Sequence, residues 1–281
     1  MPELLCGGYG YAAERLARRL RALGWRVTGT AREPAKRAAM AAEGVEALSP
    51  GPELAPALAR ATHLLLSAPP GEAGDPVLNA IRDWPAPNLT WIGYLSTTGV
   101  YGDHGGAWVT EDSALHAQSP RSLRRVAAEK AWAAWGEARG VPVQIFRLAG
   151  IYGPGRSQLD SLRDGTARRI VKPGQVFSRI HVDDIANAVE RGIANPSVSG
   201  AFNVCDDEPA PPSEVVEFAA RLLGIAPPPE EDFETAKATM SEMALSFYAD
   251  TKRVSNERMR RVLGVRLSFP TYREGLRAVW N

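Results

Sequence analysis

Short apolar runs alternate with amphipathic stretches over the first two-thirds of the chain. Leu4–Cys6, Arg26–Thr30, His63–Ser67, Thr90–Leu95 and Val143–Leu148 read as short buried strands. Ala12–Leu23 and Ser122–Glu137 repeat their apolar positions with helical period, and Ala35–Gly44 reads as a helix ending on a glycine C-cap. This alternation predicts an α/β fold with helices on both faces of a parallel sheet. After Gly150 the rhythm loosens at the turn Gly153-Pro154-Gly155. A helix over Asp184–Ala194 and a strand over Ala201–Cys205 then return to the sheet, and the tail carries helical stretches at Val215–Leu223 and Asn256–Leu263. The expected organisation is a main domain over residues 1–154, rejoined by 177–205, with a smaller lobe from 155–176 and 206–281.

Bulk properties narrow the partners. The 281 residues carry a net charge of +1, with 44% hydrophobic and 23% charged side chains, so no overall field recruits nucleic acid or an anionic membrane. No run approaches the ~18 apolar residues of a membrane helix. Cys6 and Cys205 sit in strand-like runs without metal-ligand spacing, which is the pattern of buried free thiols in a reducing compartment. The start of the chain lacks the layout of a signal peptide, so the expected location is the cytoplasm.

Candidate chemistry begins at residues 7–13, G-G-Y-G-Y-A-A, between the first strand and the first helix. Gly8, Gly10 and Ala13 match the G-x-G-x-x-G/A loop, in which glycines permit a tight turn and close approach of backbone to a pyrophosphate. The sheet is therefore expected to be a doubly wound Rossmann-type sheet that binds a dinucleotide. Gly8, Tyr9, Gly10 and Tyr11 are the candidate contacts, with Ser67 and Ala68 at the end of a neighbouring strand. The second strand ends Gly29-Thr30-Ala31-Arg32, without the carboxylate that an NAD site uses for the ribose 2′-hydroxyl. Thr30 and Arg32 suit a 2′-phosphate, which selects NADP(H) over NAD(H).

The segments S-T-T-G-V-Y-G-D (96–103), R-L-A-G-I-Y-G-P-G-R (147–156), I-H-V-D-D-I-A (180–186) and F-N-V-C-D-D (202–207) follow in order. With the glycine loop they resemble the extended short-chain dehydrogenases/reductases, and among them the atypical subgroup described as NAD-dependent epimerase/dehydratase-like. The resemblance implies that Thr97 holds the substrate oxygen. Registered on Pro120 and Glu129, the family's Tyr-x-x-x-Lys pair falls on Arg121 and Arg125. A guanidinium does not give up its proton near neutral pH, so Arg121 cannot replace the tyrosine as an acid. Arg125 could keep the contact of the lysine with the ribose. The plain alternative is an exposed helix face, with Arg125 and Glu129 paired one turn apart. His104 is a further proton-transfer candidate, and His181 a structural histidine.

Arg156, Arg163, Arg168, Arg169, Lys172 and Arg179 accumulate where the family carries its substrate loop. Tyr152, Arg156 and Arg179 are the candidate substrate contacts, and a basic wall suits a small anionic compound. The alternative is a solvated charged face. The relatives' phosphate-binding arginine position holds Phe177, which argues against a diphosphate sugar. Two functions are expected from these residues: an oxidoreductase or epimerase of a small anionic carbonyl or hydroxyl compound, or a redox-inert NADP(H)-binding sensor. The short segment Asp75–Trp84 leaves both a monomer and a homodimer open.

Overall fold

The computed structural model describes residues 1–280. Seven strands form one parallel sheet: β1 (Glu3–Gly7), β2 (Arg26–Thr30), β3 (Glu46–Leu48), β4 (His63–Leu66), β5 (Trp91–Thr97), β6 (Val143–Leu148) and β7 (Gly200–Val204). Their order across the sheet is β7-β6-β5-β4-β1-β2-β3, so the direction of winding reverses between β1 and β4. In open α/β sheets the crevice at that reversal, outside the carboxyl ends of the strands, is where ligands bind. The third strand was not anticipated from the sequence. Only three residues pair there, and they carry no apolar run to announce them.

Helices cover both faces. One face packs α1 (Tyr11–Ala22) and α7 (Val182–Ile193), with Leu16, Leu20, Ile185 and Val189 in one apolar cluster. α2 (Pro34–Ala42) contributes Met40 to the same cluster. The other face packs α3 (Leu54–Arg60), α4 (Pro76–Ile81) and α5 (Pro120–Glu137) around Leu58, Ile81, Ile92 and Trp132. α5 sits close to β6 because Gly136 faces Val143; a Cβ there would stand 2.2 Å from a Val143 methyl carbon. Beyond the sheet, α6 (Gln158–Arg163), α8 (Pro212–Leu223) and the helix Tyr272–Trp280 bury Leu159, Phe218, Tyr272 and Leu276 together. Three short parallel pairs complete this part: Gly150–Tyr152 with Arg179–His181, Arg169–Val171 with Glu230–Asp232, and Trp108–Val109 with Arg253–Val254. Among the described residues, no helix is long and apolar enough to cross a membrane.

A buried polar chain links β5, β6 and the edge strand β7 near their carboxyl ends. Glu129 of α5 and Arg147 of β6 pair at 2.9 Å with side chains only 5% and 8% exposed. Ser96 donates to the same carboxylate, and Arg147 donates to the Tyr101 hydroxyl at 3.0 Å. That hydroxyl in turn donates to Asn203 Oδ1 on β7 at 2.7 Å. Removing one partner leaves the other charge buried and unpaired, which costs far more than the pair itself contributes. Arg147→Met is expected to lose about 3–5 kcal/mol in urea denaturation. The double variant Glu129→Leu/Arg147→Met should lose clearly less than the single one, because it leaves no orphaned charge.

Candidate functional site

The glycine loop forms the expected turn at the carboxyl end of β1. Gly8 has φ +95°, a region that side chains avoid, and a Cβ there would lie 2.7 Å from the Ala68 backbone nitrogen. Its N–H donates to Thr30 Oγ1 at 2.8 Å, and its carbonyl accepts from Ser67 Oγ at 2.7 Å. Gly10 stands at the N-cap of α1, with no side chain capping the helix and no atom within 4 Å of where a Cβ would be. The first-turn N–H groups of α1 are thus left for an outside acceptor. This cradle fits a dinucleotide pyrophosphate.

The neighbouring candidates divide. Tyr9 lends only its backbone to the loop: its ring is buried over Gly29 and beside Met40. Tyr11 opens α1 and donates to the Pro154 carbonyl at 3.0 Å, tying the loop to the turn after β6. Thr30 departs from the expectation of a 2′-phosphate contact. Its hydroxyl is buried and accepts from Gly8, so its role is to hold the turn. Arg32 is exposed at the end of β2. Arg37, which the sequence did not single out, braces that edge by donating to the carbonyls of Ala31 and Arg32.

At the carboxyl end of β5, Thr97 caps the single turn Thr98–Tyr101 by accepting from the Gly99 N–H at 3.1 Å. Ser122, in the first turn of α5, comes up beside it. A Cβ on Gly99 would lie 3.3 Å from Ser122 Oγ and 3.4 Å from Thr97 Oγ1, so the two hydroxyls flank the same glycine. Ser119 caps α5 and donates to Ser122 Oγ at 2.9 Å. Ser122 was missed because a serine beside an N-cap carries no sequence signal of its own; only the fold brings it to Thr97.

The two arginines part company. Arg121 is exposed on the first turn of α5. Arg125 is buried and donates to the Tyr94 hydroxyl and the Leu95 carbonyl, each at 3.0 Å. This corrects both expectations for Arg125: it turns inward rather than toward a ribose, and Glu129 pairs with Arg147 rather than with it. A guanidinium over the Tyr94 ring finds acceptors inside the core that spare it the cleft.

On the substrate side, Tyr152 and Arg179 also lie deeper than expected. Tyr152 is 4% exposed within the cluster of Leu159, Phe218 and Tyr272. Arg179 is 6% exposed and donates to the carbonyls of Phe177 and Ala210. Arg156 is exposed beside the Pro154 turn. The basic wall is neutralised in part, since Arg168 pairs with Glu231, and Arg169 with Glu217 and Glu230. His104 stacks on His116 with ring centroids 4.8 Å apart.

Known proteins agree with this architecture. A solved structure of a functionally unknown conserved protein from Silicibacter pomeroyi is 48% identical, with a TM-score of 0.91, covering 100% of this chain and 98% of that one. The family model described as the NAD dependent epimerase/dehydratase family matches residues 73–205. Over residues 73–205 the chain matches that family, and its fold is that of solved epimerase-family proteins. The NADPH-bound structure of human epimerase family protein SDR39U1 shares the fold at 20% identity and a TM-score of 0.81, over 100% of this chain and 99% of that one. A Streptomyces protein, 3-diazoavenalumate denitrifying reductase, is 29% identical over 185 residues, 59% of this chain. The chain spans only 57% of that relative's length.

The I-H-V-D-D and F-N-V-C-D-D segments hold titratable groups shifted by burial. His181 accepts from the Asp183 N–H, and burial pushes it down to about 4, so it is neutral at physiological pH. Burial likewise holds His63 down to about 4. Asp206 is 1% exposed; burial pushes its carboxyl up to about 8 against the opposing pull of Arg179. A carboxyl whose folded value lies above its unfolded one stabilises the fold at low pH and loses that contribution as pH rises through the folded value. Between pH 7 and 8 both histidines are largely neutral in either state, so Asp206 dominates this set. Stability is expected to fall by about 1 kcal/mol across that window. Asp206→Asn should flatten the dependence, measured as urea midpoints against pH.

Proposed function

We propose that this protein is an NADP(H)-dependent oxidoreductase of a small anionic substrate, with Thr97 and Ser122 holding the reacting group. The observation that carries the reading is the pairing of an uncapped α1 N-terminus over the Gly8 turn with two hydroxyls at the end of β5. β1 and β5 are separated by β4 alone, about 10 Å at sheet spacing, a distance a dinucleotide spans. Gly8, Gly10, Ser67 and Ala68 would line the pyrophosphate, and exposed Arg32 would meet a 2′-phosphate. The bound cofactor supplies the hydride.

The chain's own residues then do the rest. Thr97 and Ser122 orient and polarise the acceptor by hydrogen bonding, while Arg121 at the rim offsets developing negative charge. The proton comes from water, because Arg121 cannot donate one. That restriction favours reduction over epimerisation, which must take a proton in one half-reaction and return it in the other. The Streptomyces relative supports this reading by its activity as a reductase of a diazo compound. Hydride delivery to an acceptor that leaves no alkoxide behind needs no acid at position 121.

A second reading is a redox-inert NADP(H)-binding sensor, favoured by the inward turn of Arg125, which leaves the ribose without a lysine-like partner. NADPH oxidation against a panel of carbonyl and diazo carboxylates separates the two. Thr97→Ala and Ser122→Ala are expected to lower kcat about 100-fold each while leaving the NADPH Kd within about twofold. Arg32→Ala should weaken NADPH about tenfold and leave NADH unchanged. Tight NADPH binding without any turnover would select the sensor, and absence of nucleotide binding would overturn both readings.

A further inference from the structure

Away from the nucleotide loop, a cavity of about 400 Å³ opens between the segment 170–176, the first turn of α8 and Arg253. Two half-buried cations line it. Lys172 donates to the Tyr248 carbonyl and Arg253 to the Gly106 carbonyl, and neither has a carboxylate partner among the described residues. An ammonium has three donors and a guanidinium five, so both keep N–H groups to offer. The neighbouring Arg168 and Arg169, by contrast, are paired with glutamates. α8 is 12 residues long and its N-cap, Pro211, makes no side-chain capping bond, which leaves the N–H groups of Ser213 and Glu214 without helix partners.

An independent observation comes from Gln175, which lines the same cavity and is 2% exposed. Its Nε2 donates to the Asp250 carbonyl at 2.8 Å, which settles the orientation of the amide. Oε1 is then left buried with no hydrogen-bond partner. Such an acceptor is costly to leave unmade and calls for a donor from elsewhere.

We propose that this cavity binds a small carboxylate that also carries a hydroxyl or N–H donor. The carboxylate lies between Lys172, Arg253 and the α8 N-terminus, and the donor reaches Gln175 Oε1. Glu214 is exposed at the rim, and its charge favours a singly charged anion over a doubly charged phosphate ester. The site does not depend on dinucleotide turnover and stands or falls apart from the reductase reading.

Glycolate, acetate and inorganic phosphate are titrated separately into the full chain at constant ionic strength, with chloride as the control, and binding is followed by NMR shift changes. Glycolate is expected to saturate in the millimolar range and to bind about tenfold more tightly than acetate, which lacks the hydroxyl. Lys172→Met should weaken glycolate about tenfold, and Gln175→Met should erase its advantage over acetate. Thermal midpoints and NADPH affinity report that each variant remains folded. Glycolate binding no better than chloride, equal binding of glycolate and acetate, phosphate binding tighter than glycolate, or unchanged affinity in a folded Lys172→Met protein would each overturn the proposal.

Discussion

The ion pair of Glu129 and Arg147 sits where α5 meets β6, almost wholly out of water. Two charges in such a place persist only when their remaining lone pairs and protons find partners. Here Ser96 satisfies the carboxylate, and Tyr101 extends the guanidinium toward Asn203. The Asn203 N–H in turn donates to Glu111 at 2.7 Å. Three neighbouring strands, one helix and one loop are therefore held in a single relative position.

That fixed position is what makes the end of β5 a site. Thr97 follows directly on Ser96, and Ser122 lies two turns of α5 before Glu129. Anchoring Ser96 and Glu129 to each other sets the height at which the two hydroxyls meet over Gly99. Arg125 lies between Ser122 and Glu129 on α5, and the core acceptors Tyr94 and Leu95 draw its side chain inward. The same helix thus offers hydroxyls at its start, a buried cation in its middle and a buried carboxylate further on.

Much of this was readable in advance. The strands Arg26–Thr30 and Val143–Leu148 fall as expected, and the glycine turn takes the strained backbone its motif demands. Helix α5 begins two residues earlier than its periodicity suggested, since Ser119 and Pro120 supply an N-cap and a first helical residue that need no apolar period. Thr30, Tyr152 and Arg179 were assigned to ligands because their residue types suit ligands. Whether a hydroxyl or guanidinium faces a cleft or a backbone carbonyl depends on neighbours brought from other parts of the chain, and motif position does not encode those.

The division has a physical basis. Local pattern was enough for the alternation of strand and helix, the glycine loop and the family landmarks, because each rests on backbone geometry or burial within a few residues. Long-range packing alone decided the partners of the buried charges. It paired Glu129 with Arg147 instead of Arg125, turned Arg125 under the sheet, and set Ser122 beside Thr97. It also left Gln175 Oε1 without a partner in the wall of a cavity assembled from three separate segments. A polar side chain in low dielectric takes the best acceptor or donor within reach, and reach is a property of the folded chain.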